Sequence, residues 1–98
     1  RASGETPMLV EHAAKAKKVG AAIMLITTSE ASSLAVLSDS MITIDASSKT
    51  TRSDASVQPM GSLFEQSTAI LLDIIVLCLM EKHGISSDDM YRNHSNLE

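Results

Sequence analysis

Tryptophan is absent, and Phe64 and Tyr91 are the only aromatic side chains in the 98 residues. A core built from this chain is therefore aliphatic, and its six methionines act as gap-fillers. Cysteine occurs once, at Cys78, which excludes an intrachain disulfide and fits a reducing, cytoplasmic setting. Cys78 sits inside an apolar run and reads as an inert core residue. Positive charge is scarce: eight Lys and Arg stand against twelve Asp and Glu, for a net charge of -4. Lys15, Lys17 and Lys18 form the one basic cluster. Without a basic stripe, nucleic acid is not expected as a partner. The first residues hold no apolar stretch, so no signal peptide is expected. The chain opens on Arg1 rather than Met and reads as a piece of a longer one. Its length bounds it to one domain at most, and 44% apolar residues suffice for a small core.

Proline and glycine are also sparse, so each one marks a boundary. Pro7 after Thr6 fits the first position of a helix capped by Thr6. Met8, Leu9, Ala13, Ala16 and Val19 recur at helical spacing, so a helix is predicted over Pro7–Val19, closed by Gly20. Ala21–Thr28 is a short apolar run and reads as a strand buried on both faces. Ser29–Ser33 reads as a loop with cap residues, Leu34–Leu37 as one helical turn, and Met41–Ile44 as a second buried strand. Helix, strand, short helix, strand is the alternation of a parallel sheet. A polar stretch, Asp45–Val57, follows and is long for a compact domain.

Gln58-Pro59-Met60-Gly61-Ser62 breaks the chain before its longest element. Ser62 and Glu65 have the Ser-x-x-Glu spacing of a capping box. From Leu63 there is no Gly or Pro until Gly84, which predicts one long helix. Ala69–Met80 is apolar on every face apart from Asp73, so the helix is expected to be buried. Ile74–Met80 is too short to span a bilayer, and no membrane partner is expected. Asp73 is expected to be paired or hydrogen-bonded. Ser86 or Ser87 caps a final short helix with Asp88 and Asp89 in its first turn. Two parallel strands cannot stand alone, so half of a domain, or completion by other chains, is implied.

Ser3-Gly4-Glu5-Thr6 lies at a helix N-terminus, where free N–H groups and the positive dipole end can hold an anion. An ordinary capped helix explains the same four residues without a ligand. Glu65 reads as a cap, or as a general base beside a cleft. His12 and His83 read as a solvated side chain and a helix-end side chain. Nothing local explains His94. The three histidines lack metal-ligand spacing, and Cys78 with His83 makes no zinc pattern, so no metal is expected.

Together these stretches resemble a known family. Ser3-Gly4-Glu5-Thr6 opening a helix resembles the phosphosugar-binding turn of SIS (sugar isomerase) domains. Gln58-Pro59-Met60-Gly61-Ser62-Leu63-Phe64-Glu65-Gln66, with the closing Arg92-Asn93-His94-Ser95-Asn96-Leu97-Glu98, resembles the 6-phospho-3-hexuloisomerase branch of that family. Where that family has Ser-Gly-Ser-Gly-Glu-Thr, this chain has Arg1-Ala2-Ser3-Gly4-Glu5-Thr6 and so one hydroxyl fewer. The resemblance implies a three-layer α/β/α sandwich around a parallel, flavodoxin-like sheet, with residues 1–98 as the carboxy-terminal half of one SIS domain. It implies interconversion of 3-hexulose 6-phosphate and fructose 6-phosphate with no cofactor. By resemblance Glu65 and His94 are catalytic, and Ser3, Gly4, Glu5 and Thr6 bind the phosphosugar. A homo-dimer or homo-tetramer is implied as well. A phosphosugar sensor without catalysis is the second reading, since it needs the turn but not the base.

Overall fold

A computed structural model describes residues 2–46, 57–58 and 61–94. The elements are α1 (Pro7–Lys18), β1 (Met24–Thr27), α2 (Ser33–Leu37), β2 (Ser40–Thr43), α3 (Ser62–His83) and α4 (Ser87–Arg92). The chain divides into two compact units, Arg1–Thr68 and Ala69–Glu98, and α3 runs from the first into the second. The stretch predicted as a polar loop after β2 lies, from residue 47 to 56, outside the described residues.

In the first unit β1 and β2 form a parallel two-stranded sheet, with Met24 opposite Ser40 and Thr27 opposite Thr43. The α/β character predicted from the alternation is thus present. The helix α1 packs against α2. It closes where Gly20 was expected to close it. Gly20 has a φ of 82°, its N–H donates to Lys17 O at 3.1 Å, and Ala21 N–H donates to Ala16 O at 3.0 Å. This pair of bonds is the Schellman arrangement, which a left-handed residue makes possible. Lys17 then ties three elements together. Its Nζ donates to Leu37 O at 3.0 Å and lies 3.5 Å from Asp39 Oδ1, while Asp39 Oδ2 accepts from Ile23 N at 2.8 Å.

The strands are not buried on both faces as predicted. Met24 and Met41 are exposed, and Leu34 is the buried hydrophobic residue among those described. The physical reason is the amount of cover: parallel strands are buried only where further strands and helices flank them. Thr27, at 1% exposure, is the most buried side chain described.

The long helix is present as predicted but is not buried. It spans 22 residues, and Gly84, at a φ of 63°, ends it with Gly84 N–H on Glu81 O at 3.3 Å and Ile85 N–H on Met80 O at 2.9 Å. No residue of α3 is buried; Ile70, Leu72, Ile74, Val76, Leu77 and Leu79 are all exposed. Cys78 is exposed rather than a core residue. Asp73 is exposed, and its side chain makes no hydrogen bond or ion pair among the described residues. Ile74–Met80 alone is too short to span a bilayer, but the whole helix Ser62–His83 is long and apolar enough to do so by length and composition. In the second unit α4 is capped by Ser86, as expected. Ser86 Oγ accepts from Asp89 N–H at 3.2 Å, and Asp89 Oδ2 accepts from Ser86 N–H at 2.9 Å.

Candidate functional site

The Ser3–Thr6 turn is seated at the carboxy-terminal end of β1 and the start of α2. Ala2 O accepts from Thr27 Oγ1 at 2.8 Å, from Thr28 Oγ1 at 3.2 Å and from Thr28 N at 3.2 Å. Gly4 O accepts from Leu34 N at 3.2 Å. Glu5 accepts from Ser33 N at 2.8 Å and from Ser33 Oγ at 2.7 Å. A five-residue helix such as α2 is not stable alone. Here each of its first three N–H donors has a partner: Glu5 takes Ser33, Gly4 O takes Leu34, and Ser32 Oγ takes Ala35 at 3.2 Å. Two of those three caps come from the turn before α1. Short sequence-distant contacts of this kind carry no local signature, so Thr27, Thr28, Ser32 and Ser33 were not singled out. The signal available was a strand ending in paired threonines followed by paired serines.

Gly4 is buried and has a φ of 71°. Its missing side chain lets Ser32 approach: a Cβ there would lie 2.3 Å from Ser32 Oγ. Ser3 is half-buried, and Glu5 is exposed. Hydrogen bonds from the Ser33 side chain and then its N–H hold the Glu5 carboxyl below the usual carboxylate range. Thr6 stands at the N-cap of α1 but makes no side-chain cap bond, and Pro7 occupies the first turn. Its Oγ1 is buried and has no hydrogen-bond partner among the described residues. A buried hydroxyl left in that state has donor and acceptor capacity unspent. The uncapped start of α1 and this hydroxyl lie beside the end of a parallel strand, where α/β folds bind ligands.

Glu65 lies in the first turn of α3 and is exposed. Its N–H donates to Gly61 O at 3.0 Å. That bond places Ser62 inside the helix, so the serine cap with Glu65 three residues on is not the arrangement found. The helix simply begins one residue earlier. Gln66, next to it, accepts from Gln58 Nε2. Among the described residues, no hydrogen bond or ion pair joins Glu65 to the Ser3–Thr6 turn. His94 is exposed beyond the end of α4, its N–H on Tyr91 O at 3.1 Å. It belongs to the second unit. No group of three or more His, Cys, Asp or Glu is clustered for a metal among the described residues.

No family model matches the chain. Curated proteins do. A protein named 3-hexulose-6-phosphate isomerase from Bacillus subtilis is 41% identical over 98% of this chain and 53% of its own length. Proteins of the same name from Mycobacterium gastri and Methylomonas aminofaciens are 37% and 31% identical, again over 98% of this chain, and over 49% and 53% of their own lengths. The chain is similar to 3-hexulose-6-phosphate isomerases. That similarity bears out the resemblance read from Gln58–Gln66 and the residues after Tyr91. The chain spans about half the length of the curated relatives it matches.

Proposed function

We propose that this chain is the carboxy-terminal half of an isomerase domain that interconverts 3-hexulose 6-phosphate and fructose 6-phosphate. The observation that carries this reading is the 41% identity to a 3-hexulose-6-phosphate isomerase along almost the whole chain. The site geometry supports it. Ser3, Gly4 and Thr6 form a turn at the start of α1 with a buried, unspent Thr6 hydroxyl, suited to a phosphate. In this reading the domain is a SIS domain, a three-layer sandwich whose remaining strands come from residues outside this chain. Such cover would also account for the bare apolar length of α3.

The chemistry moves a carbonyl from C3 to C2. A base takes the proton from C2, an enediolate forms across C2 and C3, and the proton returns to C3 while the hydroxyl proton passes between the two oxygens. A carboxylate is suited to this, and Glu65 is assigned the role. His94 is assigned to ring opening or proton transfer, and no metal or organic cofactor takes part. A phosphosugar sensor would need the turn but not Glu65, so the base decides between the two readings. Glu65→Gln in the full-length protein keeps the shape and removes the basic oxygen. Turnover is expected to fall by about two to four orders of magnitude with substrate binding largely kept. Deuterium uptake from solvent into the product carbon should vanish with it. Near-normal turnover in that variant would favour the sensor.

A further inference from the structure

Both carboxylate oxygens of Glu5 are occupied. Oε1 accepts from Ser33 N–H at 2.8 Å and Oε2 from Ser33 Oγ at 2.7 Å, across 28 residues of chain. The next residue back, Gly4, holds the next donor of α2 through its carbonyl and meets Ser32 at the Cα that bears no side chain. The turn and the start of α2 are therefore joined by a seam of two backbone donors, Ser33 N–H and Leu34 N–H, and one hydroxyl, Ser33 Oγ. The neighbouring Thr6 hydroxyl is left unspent. A carboxylate is also the wrong charge to touch a phosphate. Its ionised form repels an anion, whereas its hydrogen bonds to Ser33 favour that form.

We infer that Glu5 is a positioning residue: its carboxylate clasps Ser33, fixes the Ser3–Thr6 turn against the start of α2, and so sets phosphosugar affinity without touching the ligand. The inference rests on the reading of the turn as a phosphate cradle. Three consequences follow from the geometry. Glu5 acts on binding and not on proton transfer, so KM changes and kcat does not. It acts on the phosphate end, so inorganic phosphate alone reports it. It acts through Ser33, so the two residues form one interaction and their losses do not add.

The test uses the full-length protein with Glu5→Gln, Ser33→Ala and the double variant. Inorganic phosphate binding is measured by calorimetry, and KM and kcat are measured with 3-hexulose 6-phosphate. Each single variant should weaken phosphate binding by roughly tenfold, as expected for a lost charge-assisted hydrogen bond, and raise KM by a similar factor. The value of kcat should stay within about twofold, and the double variant should be no worse than the weaker single one. Unchanged phosphate binding in Glu5→Gln with a raised KM would make Glu5 a direct sugar contact and overturn the inference. Additive losses would do the same. Should Glu5→Gln not fold, Ser33→Ala decides alone, and phosphate binding at the wild-type level counts against the clasp. A protein that binds phosphate but turns over no hexulose phosphate defeats the isomerase reading while leaving the clasp to be judged on phosphate affinity. One that binds no phosphate overturns the clasp.

Discussion

At Gly4 two constraints coincide. The φ of 71° is a conformation that costs an L-residue energy, and a Cβ would lie 2.3 Å from Ser32 Oγ and 2.7 Å from Ser32 Cβ. Ser32 cannot simply swing aside, because it is buried and its hydroxyl caps Ala35 N–H. Gly4→Ala should therefore destabilise the folded protein by about 2–4 kcal/mol, read from denaturant melts of the full-length protein. A cost near zero would mean that the seam between turn and α2 opens freely. The neighbouring Glu5 makes the same seam sensitive to acid. Its carboxyl is held low first by the Ser33 hydroxyl and then by the Ser33 N–H. A depressed value means that the folded state favours the ionised form. The contribution is complete above the ordinary Glu value, about 4.3, and is lost as pH falls through the lower value in the fold. Melts of wild type and Glu5→Gln should accordingly differ near neutrality and converge in acid. A difference that persists unchanged in acid would assign the effect to shape and not to charge.

The helices are set by their ends more than by their faces. Schellman bonds close α1 at Gly20 and α3 at Gly84, and a reciprocal capping box opens α4 at Ser86. Asp89 is held low by the Ser86 N–H, then by the Ser86 hydroxyl and by Arg92. For α4, with six residues, that box is a large part of what favours helix over coil. Ser86→Ala should cost about 1 kcal/mol of local stability. Amide exchange confined to residues 87–94 is the measurement, and unchanged protection there would show that packing holds α4 instead. By contrast α2 borrows its caps from Gly4 and Glu5, so its stability is tied to that of the turn.

For the whole molecule the deciding feature is α3. Its apolar side chains are exposed along both turns and length, with Leu77 at 63% and Ile70 at 61%. A surface of this kind is stable in water only when something covers it. The cover proposed is the rest of the domain together with a second copy of the protein, since the curated isomerases are about twice as long as this chain. The full-length protein is expected to sediment as a dimer or tetramer at micromolar concentration. A monodisperse, well-folded monomer would assign the cover to its own chain, and co-flotation with lipid vesicles would assign it to a bilayer. Turnover of that protein should also survive EDTA. Activity lost on chelation and restored by a divalent ion would rule out the metal-free route.

Local rules determined much of this protein from sequence alone. Thr6-Pro7, Gly20, Gly84 and Ser86 mark chain reversals and helix ends through backbone geometry that involves only a few neighbouring residues, and the structure places the helix limits within a residue or so of them. The alternation of apolar runs likewise implied parallel strands, because that pairing follows from element order. Burial was not legible in the same way. Val, Ile and Leu state a preference for cover, but whether cover is present depends on surfaces far away in sequence, and β1, β2, α3 and Cys78 are all more exposed than their composition implied. Tertiary structure also decided what Glu5 and Gly4 do. Their partners, Ser33, Leu34 and Ser32, lie about thirty residues on, and the alignment that joins them arises only when β1 places its end beside the turn. Ser62 differs for a smaller reason: a backbone bond from Glu65 to Gly61 competes with a side-chain cap, and the backbone bond is the one formed.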